Sequence, residues 1–258
     1  MQVEQVAPIS RAFAPMVREQ RFQVSEMAIA TFLMAKAWGK PLVLLPVTLA
    51  ARAQERALLC RTNGTVRGPA DLKGKTIAIR SYSQTTALWL RGVLEDGYGV
   101  AASDIDWMTF EGAHVAEYND PPFVRRVEPA KLDDILRTGE ADAAILGLDI
   151  PTGDPDLRCV FPDPDAEAAA FVAEHGSPPI NHVLVCTVDV ANRAAHIVAA
   201  FRHSLEMAGD VPAARWPQNR SALQGLVALA ARYAHAQGLI PRALSNEEIW
   251  GGLPDCDV

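Results

Sequence analysis

Apolar residues along the chain fall alternately into short continuous runs and into stripes at helical spacing. Val3 to Val6 reads as a short strand, and Ile9, Phe13, Met16 and Val17 then mark one face of a helix. A second helix is expected to open at Ser25, whose hydroxyl can cap the free N–H groups of a first turn. Met27, Thr31 and Met34 share its inner face, and Gly39 with Pro41 ends it. Leu42 to Leu45 and Ala57 to Cys60 read as buried strands, with Pro46 turning the apolar run from Pro41 to Ala53.

The pattern restarts at Asp71. Gly74 suits a tight turn, Thr76 to Ile79 a parallel strand, and Ser83 to Gly97 a helix with Leu90, Val93 and Leu94 inward. Leu132, Ile135 and Leu136 mark a further helix stopped by Gly139, followed by a strand at Ala143 to Leu146. Residues Ile150 to Pro179, rich in Pro, Asp and Gly, form a surface excursion with a short helix at Ala166 to Ala173. His182 precedes a strand at Val183 to Cys186, and three helices close the chain. The first carries Ile197, Val198, Phe201 and Leu205, the second Leu223, Val227 and Leu229. The last opens with Ser245 and Glu248 at capping-box spacing before Ile249 and Trp250. Such alternation implies α/β architecture with mostly parallel sheets flanked by helices, and ligands then sit at strand C-terminal ends.

Composition narrows the function. A net charge of −7 with scattered basic residues gives no footprint for nucleic acid. No apolar stretch reaches the roughly 20 residues that span a bilayer, and Met1 to Pro8 has no secretory pattern, so the chain as given is expected to be cytoplasmic. A periplasmic location stays open if the true N-terminus is missing. Cys60, Cys159, Cys186 and Cys256 form no C-x-x-C pair and read as reduced thiols. No metal is assigned: His114, Glu117, Glu111 and Asp120 lie in a loop-like segment at spacings that match no metal motif. No cofactor is expected, although a divalent metal stays open.

The strongest chemical feature follows the strand Thr76 to Ile79. Arg80, Ser81, Tyr82, Ser83, Gln84 and Thr85 join a strand end to a helix N-terminus, combining hydroxyls, free N–H groups and a guanidinium in an anion cradle. The plainer alternative, equally weighted, is a Ser or Thr cap with Arg80 in a surface ion pair. Ser25 and Glu26 offer an opposite wall, with simple capping the commoner role. His182, just before an apolar strand, can donate to a ligand or carry a proton, against a satisfied structural histidine.

The stretches Val24–Leu33, Lys40–Val47, Asp71–Arg80, Gly139–Leu146 and Pro179–Val183 together resemble the 4,5-dihydroxyphthalate decarboxylase-like group of the type II periplasmic-binding-protein superfamily, close to ABC-transporter substrate-binding proteins. The resemblance covers most of the chain. It implies two α/β lobes, the second inserted into the first: residues 1–70 with 187–258, and 71–186. A ligand cleft lies between them, formed by Ser25, Glu26, Arg80, Ser81, Tyr82, Ser83, Gln84, Thr85 and His182. Relatives carry an aromatic-Arg-His stretch where Ala53, Gln54, Glu55 and Arg56 stand here, and they begin with a strand that this chain is expected to lack.

The leading expectation is a solute-binding-like protein that closes on a small anion, an aromatic carboxylate, and hands it to a partner such as a transporter permease. The alternative is a carboxy-lyase acting on a dihydroxylated aromatic acid, with His182 or Glu26 as the catalytic proton donor. Oligomerisation stays open.

Overall fold

The computed structural model describes residues 3–146, 153–207 and 216–254, the side chains of residues 205 and 206 aside. The sequence-expected residues Ile150, the side chain of Leu205, and Cys256 lie outside these. Cys60, Cys159 and Cys186 are free thiols.

Two sheets organise the chain. The smaller has the order β1 (Val24–Ala28), β9 (Ile180–Thr187), β2 (Leu42–Ala51). The larger runs β6 (Val124–Arg126), β5 (Asp106–Thr109), β4 (Thr76–Ile79), β7 (Ala143–Ile145), β3 (Leu58–Arg61), β8 (Leu157–Cys159). The connected run from β6 to β7 is parallel, as the alternation of strands and helices implies, while β3 pairs antiparallel with both β7 and β8. The smaller sheet is antiparallel throughout. β3, before the expected boundary at residue 71, pairs into the larger sheet, and β9, which ends at Thr187, belongs to the smaller one.

The helices pack where their apolar faces require. α2 (Ile29–Ala37) is buried from Ile29 to Ala35, so it sits inside the molecule and not on its surface. α3 (Thr85–Tyr98) ends at Gly99 in the left-handed conformation, its N–H donating to the Glu95 carbonyl at 3.0 Å. α3 packs on α7 (Arg220–Ala236) through Gly92, where an added Cβ would lie 2.2 Å from Tyr233 Cε2. On β4, Ile77 and Ile79 face a core shared with Leu44 and Val185 of the smaller sheet, while Ala78 faces a second cluster under α4 (Leu132–Thr138). The capping box of α8 (Asn246–Trp250) forms as the spacing predicts, with Ser245 Oγ accepting from the Glu248 N–H. The remaining helices are α1 (Phe13–Glu19), α5 (Pro164–His175) and α6 (Ala194–Met207).

Several local expectations are corrected. Residues 3–6 form no strand. Ser25 does not cap a helix: Val24–Ala28 is β1, held extended by its register with β9, and α2 begins at Ile29. β2 does not stop before Pro46 but continues to Ala51, because register shifts between Leu45 and Thr48 take the proline out of the ladder. His182 lies inside β9 instead of before it.

Candidate functional site

The C-terminal end of β1 runs directly into α2, and β4 reaches α3 through residues 80–84. Neither helix has a side-chain cap on its own N-terminus, since Ala28 and Gln84 occupy the cap positions. The two N-termini meet: the Ala30 N–H of α2 donates to Thr85 Oγ1 of α3 at 3.4 Å. Thr85 therefore bridges α2 and α3, and the two positive helix N-termini lie side by side.

On the smaller sheet Glu26 and His182 come together. Glu26 pairs with Leu184 and Ala28 with His182, so Glu26 and His182 are diagonal neighbours on one face. Glu26 Oε1 and His182 Nδ1 are 2.5 Å apart, with both side chains partly exposed. Ser25, one residue along the strand, faces the other side and donates to the Glu26 carbonyl at 2.8 Å. Alanines flank His182 on both neighbouring strands, Ala28 on β1 and Ala50 on β2, leaving its ring without bulky cross-strand partners.

Phe13 links this pair to the larger sheet. Its ring lies edge-on to His182, with centroids 5.5 Å apart, and edge-on to His114, also at 5.5 Å. His114 Nδ1 meets Thr31 Oγ1 of α2 at 2.9 Å, and Arg18 of α1 donates to the His114 and Ala113 carbonyls at 2.8 and 3.2 Å. Burial, and then the positive charges of Arg80 and Arg18, lower the His114 pKa to about 4. At neutral pH this ring is an uncharged hydrogen-bonding group.

The residues after β4 divide. Ser81 and Ser83 are nearly buried, with their hydroxyls 3.0 Å apart. Gln84 Oε1 is buried with no hydrogen-bond partner among the described residues. Arg80 is half-exposed and takes the plainer of its two sequence readings, its Nε 3.5 Å from Glu111 Oε2. Tyr82 is not at the cleft: it is fully buried, its hydroxyl donates to the Gln237 carbonyl at 2.8 Å, and its ring lies 3.9 Å from the Arg91 guanidinium carbon. Tyr82 and Ser83 form a turn closed by the Gln84 N–H on the Ser81 carbonyl at 3.1 Å, and of these side chains it is Tyr82 that enters the core.

Thus Glu26, His182, Ser81, Ser83 and Thr85 lie on the strand-end and helix-start segments that converge, while Ser25 and Tyr82 point elsewhere. Phe13, Thr31 and His114 escape the sequence reading as site members. Phe13 and Thr31 look like helix-face positions, and His114 reads only as a discarded metal ligand. Among the described residues no cluster of three or more His, Cys, Asp or Glu can hold a metal ion. Surface cavities of about 200 Å³, beside Phe123 and Gln237, and about 280 Å³, beside Thr76 and Arg125, are lined by none of the converging residues. The site is therefore defined by its chemistry and its position at the strand ends.

The stretch at Gln54 to Arg56 lies outside this grouping. Gln54 Nε2 donates to Asn181 Oδ1 at 2.8 Å, Glu55 is 1% exposed with its carboxylate on the Gln54 N–H, and Arg56 pairs with Asp165 on the surface. It forms the first crossover between the sheets and ties it to the second. No helix among the described residues is long and apolar enough to cross a membrane.

Comparison with known proteins agrees with this architecture. No protein-family model matches the chain. The chain is 27% identical over 214 residues to a 4,5-dihydroxyphthalate decarboxylase of Comamonas testosteroni, a match covering 74% of the chain and 63% of that protein. It is 25% identical over 190 residues to the Pseudomonas putida protein of the same name, covering 66% of the chain and 72% of the relative. Among solved structures, the periplasmic aliphatic sulphonate binding protein SsuA of Escherichia coli superposes with a TM-score of 0.57 at 14% identity, over 93% of this chain and 78% of that one. A putative sulfonate-binding protein of Methylobacillus flagellatus gives 0.57 at 15% identity, over 95% and 76%. The fold is that of type II periplasmic binding proteins, and the resemblance to the decarboxylases holds over most of the chain.

Proposed function

We propose that this chain binds a small organic anion, an aromatic carboxylate, where the ends of its two sheets meet. The observation that carries this reading is the 3.4 Å contact between the Ala30 N–H and Thr85 Oγ1, which brings two helix N-termini together beside Ser81 and Ser83. Positive helix ends and hydroxyl donors favour an anion. Phe13 is buried, and its ring, edge-on to both imidazoles, packs His114 and His182 beside that region.

A second reading is favoured by one further observation, the 2.5 Å approach of Glu26 and His182. A carboxylate holding an imidazole can deliver a proton. In a decarboxylase the proton adds to the ring carbon bearing the carboxylate. The C–C bond then breaks, its electron pair returns to the ring and carbon dioxide leaves, so that one proton replaces one carboxylate. The two relatives named for decarboxylation of 4,5-dihydroxyphthalate make that acid the first substrate to try.

A thermal-shift screen of aromatic carboxylates, with 4,5-dihydroxyphthalate included, tests both readings when each hit is recovered by mass spectrometry. A compound that raises the melting temperature and returns intact supports binding by linkage. One returned lighter by carbon dioxide makes the chain a carboxy-lyase. A screen in which no carboxylate raises the melting temperature or is converted overturns both.

A further inference from the structure

We propose that Arg52, at the end of β2, is the residue that grips the anionic group of the ligand by a two-pronged hydrogen bond. The inference rests on the reading of an anion site at the sheet ends and assigns its main cation, which Arg80 does not supply.

Arg52 is held by its backbone from both sides. Its N–H donates to the Pro179 carbonyl at 3.0 Å, and its carbonyl accepts from Gln54 Nε2 at 2.7 Å. Its side chain is half-buried, yet it has no hydrogen bond, ion pair or ring contact among the described residues. The other half-buried arginines among the described residues are all engaged. Arg61 donates to the Leu136 and Ala141 carbonyls, Arg158 to those of Cys159 and Val66, and Arg202 to that of Gln218, while Arg220 lies 5.5 Å from the Trp250 ring. Burial lowers the pKa of Arg52. A guanidinium drawn out of water without a counter-ion is costly, and arginine cannot escape the cost by losing its proton.

Position joins this cation to the site. On β2, Ala50 pairs with His182 and Ala51 with Ile180, and Gln54 bonds to Asn181, the residue before His182. Arg52 is therefore at the same strand ends as the Glu26–His182 pair. The register of β2 slips three times between Leu45 and Ala51, and such bulges re-aim side chains beside sites. The planar fork of a guanidinium matches the two oxygens of a carboxylate, and it also accepts a sulfonate. By contrast, Arg80 already has Glu111 beside it.

Calorimetric titration of the full chain with phthalate, 4,5-dihydroxyphthalate and benzenesulfonate tests the assignment, using wild type, Arg52→Gln, Arg52→Lys and Arg80→Gln. We expect Arg52→Gln to weaken the anion that wild type binds by at least about tenfold, as when a charged hydrogen-bond partner is removed. Arg52→Lys should recover only part of the loss, because an ammonium is a point charge, and Arg80→Gln should change affinity less than Arg52→Gln does. The three probes separate a carboxylate preference from a sulfonate one. Because Arg52 has no side-chain partner among the described residues, unliganded Arg52→Gln should melt within about 2 °C of wild type. A much lower melting temperature would mean a structural arginine and overturn the proposal. So would wild-type affinity in Arg52→Gln, which leaves the anion site standing without Arg52. Should wild type take up none of the three probes, the anion site and Arg52's part in it fall together.

Discussion

Glu26 Oε1 and His182 Nδ1 meet at 2.5 Å although the two residues are 156 positions apart in sequence. They are diagonal neighbours across β1 and β9, so backbone register alone brings them together. The pair lies at the ends of strands whose neighbours cross to the other sheet, where movement between sheets would alter its surroundings most.

Replacing Glu26 by Gln keeps the shape of the pair and removes its charge. If the chain is a decarboxylase, Glu26→Gln and His182→Gln should each lower turnover of 4,5-dihydroxyphthalate by about a hundredfold or more, the usual contribution of a general acid. Affinity for the acid should change little. Single-turnover mass spectrometry with a parallel binding titration reads both, and unreduced turnover in either variant removes that residue from the proton path.

His114 makes stability depend on pH in a definite direction. Its pKa is about 4 in the fold, against about 6.5 for a free imidazole, so the unfolded chain binds more protons in that interval. The contribution is fully present above pH 6.5 and is lost as pH falls toward 4. Facing groups from the packed elements are Thr31 of α2, Phe13 and Arg18 of α1, and Arg80 after β4. Urea unfolding at pH 7 and pH 4.5 should show wild type losing on the order of 2 kcal/mol more than His114→Gln does. Equal losses would mean that His114 is not the group responsible.

Tyr82→Phe separates the core role of this residue from a site role. It removes the donor to the Gln237 carbonyl while keeping the ring against Arg91, and should cost about 1 kcal/mol of stability. Ligand affinity should be unchanged in a titration. A tenfold loss of affinity with intact stability would return Tyr82 to the cleft.

Gly92→Ala forces a methyl group into Tyr233, whose ring leaves no room and whose hydroxyl is fixed on Asp96 at 2.7 Å. We expect destabilisation of about 2 kcal/mol from overpacking, read as a lower urea midpoint. Tyr233→Leu in the same chain should relieve part of the cost. An unchanged midpoint in Gly92→Ala would show that the α3–α7 contact yields easily.

Local chemistry in the sequence was enough for elements whose instructions lie within a few residues. β4, the helix ended by Gly139 and the Ser245–Glu248 capping box follow from periodicity, a left-handed glycine and short-range hydrogen bonds. The motif order also carried the overall architecture. Where the deciding contact is distant, residue spacing was insufficient. Ser25 begins no helix because β9 supplies a ladder for Val24–Ala28, and Tyr82 turns inward because Gln237, 155 residues away, offers its carbonyl. Phe13, Thr31 and His114 join the site only through packing between α1, α2 and the segment after β5, and Arg52 stands out only because tertiary burial left it without a side-chain partner among the described residues. Sequence thus determined which segments become strands and helices wherever short-range hydrogen bonds decide. Only tertiary structure decided which side chains share a site, because strand register and burial depend on partners far along the chain.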